Sequence, residues 1–192
     1  PNGLTTEPKI GCFHITTDSP FGVSGNVMSL IDYENVVTEI PCDNCFYHLF
    51  EKADIRSAPE LPATVLKPGC YEGMFMNTTL TKGPTLPAAD IPLEAYREMF
   101  SGCSMLTSLQ VEAVNAHSSK SLYRWLNDVA PEGFIYSTQS TSFDMLDSYN
   151  AIPEGWEFQL LKKPVPKSEE LKVESAPAEG ESAAGSATAE AR

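Results

Sequence analysis

Apolar and polar residues fall in paired blocks at three places in the chain: Cys45-Phe46-Tyr47-His48-Leu49-Phe50, Cys70-Tyr71-Glu72-Gly73-Met74-Phe75 and Ala95-Tyr96-Arg97-Glu98-Met99-Phe100, each 25 residues after the last. The first, second, fifth and sixth positions of each copy are apolar or small. That spacing lies on one face of a short helix, so the pattern predicts a helix in every copy. Asp43, Pro68 and the Asp90/Pro92 pair stand upstream as a cap or a first-turn proline, and Gly102 is placed to stop the third. A fixed period of this length marks units that cannot bury their apolar faces alone and do so by stacking on the next.

A second element follows each predicted helix. Ile55, Leu80 and Leu106 sit at matching offsets, each opening a polar and apolar run such as Leu106-Thr107-Ser108-Leu109-Gln110-Val111, which reads as a short parallel strand. The segments Ala58-Pro59-Glu60-Leu61-Pro62-Ala63-Thr64 and Gly83-Pro84-Thr85-Leu86-Pro87-Ala88-Ala89 carry prolines that interrupt a ladder, so extended connectors are expected there. Strand, connector, helix and return make one coil, with stacked strands about 4.8 Å apart. The predicted fold class is α/β: a short leucine-rich-repeat-like solenoid of three 25-residue strand–helix units plus a degenerate fourth, with β-rich end caps and an extended C-terminal tail.

Residues 1–35 form the expected N-terminal cap, with strands at Ile10–Ile15 and Val27–Ile31 around an Asp18-Ser19-Pro20 turn. Residues 36–111 hold the units, 112–161 the degenerate fourth unit and C-terminal cap, and 162–192 a flexible or partner-ordered tail. The fourth helix is expected at Ser121-Leu122-Tyr123-Arg124-Trp125-Leu126, with Trp125 where Leu49, Met74 and Met99 stand earlier. The column Phe50, Phe75, Phe100 is expected at the centre of the core, each ring contributing roughly 1.5–3 kcal/mol of burial.

Composition changes at Lys162, after which Lys, Pro, Ser, Glu and Ala dominate and large apolar side chains nearly vanish. The net charge is −13; the tail holds five basic and six acidic residues, leaving −12 on residues 1–161. With no basic stripe, binding to nucleic acid through phosphates is not expected. No run approaches the roughly 18 apolar residues of a membrane span. The first residues, Pro1-Asn2-Gly3-Leu4-Thr5, lack the basic and apolar run of a secretory signal, so none is expected.

Candidate chemistry is sparse. Cys42-x-x-Cys45 with His48 is half a zinc site at most, whereas Cys45 and Cys70 fill the slot of Ala95 and read as small buried apolar residues. Free thiols at Cys12, Cys42, Cys45, Cys70 and Cys103 suit a reducing compartment. His14, His48 and His117 lie in no nucleophile or metal motif, and neither a phosphate loop nor a hydrolase elbow occurs. Asp144-Met145-Leu146-Asp147-Ser148-Tyr149-Asn150 spaces oxygen ligands but lacks the glycine and glutamate of a calcium loop, and reads as a loop. The aromatic residues Tyr136, Phe143, Tyr149 and Trp156 read as an end cap, with a binding surface as the rival reading. No catalytic, cofactor or metal residues are assigned, and the chain is expected not to be an enzyme.

Leu61-Pro62-Ala63-Thr64-Val65-Leu66, Cys70-Tyr71-Glu72-Gly73-Met74-Phe75 and Met99-Phe100-Ser101-Gly102-Cys103-Ser104-Met105-Leu106-Thr107 resemble the units of BspA-like leucine-rich-repeat proteins, found on the surfaces of anaerobic gut and oral bacteria and in their phages. Val23-Ser24-Gly25-Asn26-Val27-Met28-Ser29-Leu30 is similar to their opening cap and Ile152-Pro153-Glu154-Gly155-Trp156 to their closing one. The chain departs from the family at Lys52-Ala53-Asp54 and Asn77-Thr78-Thr79, so only Cys103 keeps the inward cysteine. The resemblance implies protein binding or adhesion without catalysis. The expectation is a phage virion component, a capsid or tail decoration tethered from about Pro164 onward, with a secreted bacterial surface adhesin as the alternative. Expected partners are proteins, either virion subunits or a surface receptor, with a homo-oligomer possible. The strand-side polar positions Arg56, Lys82 and Ser108 are candidates for a shared binding surface or, equally, a solvated sheet face.

Overall fold

The computed structural model describes residues 13–16, 19–35 and 37–162. Cys12, Asp18, the first half of the strand expected at Ile10–Ile15 and the tail beyond Lys162 lie outside the described residues, and residues 13–15 form no strand.

The chain is mixed α/β, with one α-helix among the described residues and a four-stranded parallel sheet. In chain order the elements are β1 (Phe21–Gly22), β2 (Ile55–Ser57), β3 (Lys82–Leu86), β4 (Asp90–Ile91), β5 (Ser108–Val111), β6 (Asn115–Ala116), β7 (Gly133–Ser137), α1 (Ser140–Ser148) and β8 (Trp156–Leu160), with 3-10 turns at Val27–Leu30 and Ser119–Leu122. The main sheet runs β3-β5-β7-β8, and β1-β2 and β4-β6 form separate two-stranded pairs.

The predicted solenoid of strand–helix units is corrected here: the expected helices do not form. Their residues are successive turns in which every fourth residue is left-handed: 44, 48, 52, then 69, 73, 77, then 94, 98, 102, then 124 and 128, with φ between 51° and 76°. No helix of L-residues continues through such a residue. In the first run, Tyr47, Leu49, Glu51 and Ala53 donate their amides to the carbonyl three residues earlier at 3.0–3.3 Å. The intervening amides of Asn44, Phe46, His48, Phe50 and Lys52 donate outward, to Pro68, Cys70, Glu72, Met74 and Met76 at 2.8–2.9 Å. The next run repeats this toward Leu93, Ala95, Arg97, Met99 and Ser101. Each of these amides thus has a partner, either inside its own turn or in the copy 24 residues on.

The block pattern explains the choice. Two apolar residues followed by two polar ones repeat every four positions, whereas an α-helix advances about 100° per residue and would carry the third pair about 80° off the first. A ribbon of four-residue turns keeps every pair inward: Cys45, Phe46, Leu49, Phe50 and Ala53 are all buried. Gly73 shows how tightly copies approach. Its φ is +59°, and an added Cβ would collide with the His48 ring of the preceding copy.

Rings stack along the same direction. Phe50 and Phe75 lie 5.6 Å apart between centroids at 9° between planes, and Phe75 and Phe100 5.5 Å apart at 6°. A second column runs Phe46, Tyr71, Tyr96, Trp125 at 5.8, 6.3 and 6.4 Å. Leu49, Met74 and Met99 are buried among them. Trp125 accepts at its carbonyl from Phe100, as Met74 and Met99 do from Phe50 and Phe75, but its indole stacks on Tyr96 and donates Nε1 to the Ala151 carbonyl at 2.7 Å.

Three local expectations also change. Gly83-Pro84-Thr85-Leu86, expected as connector, lies inside β3; Pro84 has no amide to give, and the ladder to β5 slips in register between Lys82 and Thr85. Val27–Leu30 is a 3-10 turn because the Asn26 side chain accepts from the Met28 amide. Asp144–Ser148 belongs to α1, whose inward Ser142, Met145 and Leu146 recur at helical spacing.

Candidate functional site

Strand alternation fixes what the main sheet shows to solvent. Leu86, Leu109, Val111, Ile135 and Trp156 point into the core and are buried. The intervening residues form two rows across the strands: Lys82, Ser108, Phe134 and Glu157 align through their register, as do Thr85, Gln110, Tyr136 and Gln159. Phe134 and Tyr136 are thus neighbours on one face, their ring centroids 6.1 Å apart and tilted by 32°. Phe134 is 38 % exposed although it stands in the middle of a strand that is paired on both sides. The rings face a concavity of about 630 Å³ bordered by Ser108, Glu132 and Glu157.

The two strand systems leave a second concavity. β2 and β3 belong to different sheets, and between them lies a groove of about 620 Å³ lined by Pro59, Pro62, Pro84 and Pro87, with Arg56 and Lys82 at its mouth. Of the three candidate binding residues, Lys82 and Ser108 stand side by side in register, while Arg56 lies across this groove and is ion-paired to Asp54 at 3.4 Å. The expected common column of three is therefore a pair plus a separate residue.

Glu112, which follows β5 directly, holds the end of the open face. Its carboxylate accepts from the Thr138 hydroxyl at 2.6 Å, the Thr138 amide at 3.0 Å, the Gln110 amide side chain at 2.7 Å and the Ser137 hydroxyl at 3.2 Å. Burial alone would raise its pKa, but these donors together outweigh burial and hold it below the ordinary glutamate value. Since the folded pKa is depressed, the stability that Glu112 contributes is complete above the unfolded glutamate range and is lost as pH falls through the folded value. Glu112→Gln is expected to lower the thermal midpoint at pH 7 by a few degrees, at about 2–4 °C per kcal/mol in a chain of this size. The gap to wild type is expected to close as pH falls from about 5 toward 3 in a calorimetric series. A gap that is independent of pH would contradict this role.

The other ionisable groups tie neighbouring turns together. Glu51 is also opposed by burial, yet the His48 ring at 2.6 Å and Lys52 at 3.0 Å hold it below its usual value. Arg97 reaches Glu94 at 3.2 Å and Glu72 at 3.7 Å, and lies 5.7 Å over the Tyr123 ring. Cys42, Cys70 and Cys103 are free thiols, and burial pushes the Cys70 thiol up to about 12. Among the described residues no group of three or more His, Cys, Asp and Glu is placed to hold a metal ion. No helix among them is long and apolar enough to cross a membrane.

The aromatic residues named from the sequence part ways. Tyr136 lies on the open face, whereas Trp156 is buried and donates Nε1 to the Ala130 carbonyl at 2.8 Å. Phe143 packs on Phe158 at 5.4 Å, and Tyr149 donates its hydroxyl to the Ala116 carbonyl at 2.8 Å. Phe134, the most exposed ring of the face, was hidden inside the continuous run Gly133-Phe134-Ile135-Tyr136, where alternation between ring and aliphatic was the one available signal. Compared with protein-family models, curated proteins and solved structures, the chain matches none.

Proposed function

We propose that the chain is a non-enzymatic structural and interaction protein that offers the outward face of its main sheet to a protein partner. The observation that carries this reading is the Phe134/Tyr136 pair, two solvent-facing rings on a strand whose other face is locked into the core. Aromatic side chains rimmed by polar groups are the usual anchors of protein interfaces, and a rigid strand presents them at little entropic cost. Ser108, Gln110 and Gln159 supply the hydrogen-bonding rim. The setting we propose follows the resemblance to BspA-like proteins of phages: a virion component that displays this face on the particle.

A photoreactive benzoylphenylalanine placed at position 134 in purified particles tests both parts. The expected product is an adduct between this chain and a particle subunit or the particle's receptor, identified by mass spectrometry. Recovery of the chain free of particles, with adducts formed from Asp144 on α1 but none from position 134, would overturn the proposal. Recovery from a bacterial surface fraction with a receptor adduct at 134 would keep the binding face and move the setting to an adhesin.

A further inference from the structure

The concavity beside the two rings has a one-sided chemistry. Its charged border is Glu132 and Glu157, both exposed, and no lysine, arginine or histidine lines it. Glu157 sits in register with Phe134 on the neighbouring strand, so their backbones stand one strand spacing apart, about 4.8 Å, and both side chains project from the same side of the sheet. A cation within about 6 Å of an aromatic centroid is attracted by the ring quadrupole, and a carboxylate alongside adds to the same preference. The chain around it carries a net charge of −13, which draws cations toward the site and repels anionic partners.

We infer that this concavity is the recognition pocket for an arginine- or lysine-bearing segment of a protein partner, the basic side chain lying over Phe134 and Tyr136 and its charge meeting Glu132 and Glu157. This rests on the reading of the sheet face as a partner surface and adds what the partner must carry. An acidic segment would bring its carboxylates against Glu132 and Glu157, a like-charge contact with no cation in the lining to relieve it. Arginine fits best, since its planar guanidinium stacks on a ring while forking to a carboxylate.

The test uses the whole chain and a fluorescein-labelled, end-capped peptide of alternating arginine and glycine, followed by anisotropy at 150 mM NaCl. Its neutral twin carries citrulline in place of each arginine. The arginine peptide is expected to bind at least tenfold more tightly than the citrulline one. Phe134→Ala, and separately Glu132→Gln with Glu157→Gln, are each expected to weaken it at least fivefold. Asp144→Asn with Asp147→Asn, neutralising two exposed charges on α1, is expected to leave it unchanged.

Equal binding of the two peptides would overturn the inference, as would equal losses from the α1 and pocket substitutions, which would mean diffuse attraction to an acidic surface. Binding of a neutral oligosaccharide at this face without binding of the arginine peptide would also overturn it. Should the peptide fail while adducts at position 134 persist, the inference falls and the partner-surface reading stands.

Discussion

Phe75→Ala is expected to destabilise the protein by about 3–5 kcal/mol, read as a shift of the urea midpoint with little change in slope. Phe75 is fully buried and is the middle of its ring column, stacked on Phe50 on one side and Phe100 on the other. Truncation removes the ring's transfer free energy and both stacking contacts, and leaves a void between Phe50 and Phe100 in copies that backbone bonds hold in place. Phe75→Leu, which keeps more of the volume, is expected to cost clearly less. A loss below about 1 kcal/mol for the alanine variant would mean that the column does not bear on stability.

Trp125→Ala is expected to cost a comparable 3–5 kcal/mol for a different combination of reasons. Its indole closes the second ring column against Tyr96, and its Nε1 satisfies the Ala151 carbonyl beyond α1. Truncation therefore uncovers the end of the stack and leaves a buried carbonyl without its donor. Trp125→Phe keeps a ring on Tyr96 while losing the hydrogen bond and the indole's second ring, and is expected to cost clearly less than the alanine variant. Equal losses for the two variants would mean that a ring retained against Tyr96 contributes nothing.

The 25-residue period was plain in the sequence, and with it the stacking of Phe50, Phe75 and Phe100 and the strand positions after Ile55 and Leu106. Helix and turn ribbon were not distinguished, because over one copy both place the residues at i, i+1, i+4 and i+5 on one side. The discriminating signal was at the polar positions: Asn44, Gly69, Gly73, Asn77 and Gly102 recur at four-residue spacing where left-handed backbone is needed, and asparagine and glycine are the residues that adopt it most readily. Glu94, Glu98 and Arg124 take the same conformation without that preference, so lateral bonding between copies overrides local propensity there.

Of the candidate binding residues, Lys82 and Ser108 stand in register on adjacent strands, 26 residues apart. Arg56 stands outside that ladder because β2 pairs with β1 and not with β3, and it meets Lys82 only across the proline-lined groove. Phe134 and Glu112 both lie past the last clear copy of the block pattern, although Phe134 follows Ser108 at the same 26-residue step that separates Lys82 from Ser108. Ser140–Ser148 was obscured by its composition of Ser, Thr and Asp, whose weak helix propensity is overruled by the burial of Met145 and Leu146.

Scalar couplings across hydrogen bonds, measured by NMR between amide nitrogen and acceptor carbonyl carbon, identify each acceptor directly and so test whether the turns of one copy bond to the next. The expected couplings join Phe50 to Met74, Phe75 to Met99 and Phe100 to Trp125. Couplings from those same amides to Phe46, Tyr71 and Tyr96, four residues earlier in each copy, would establish helices in place of the ribbon and contradict the account.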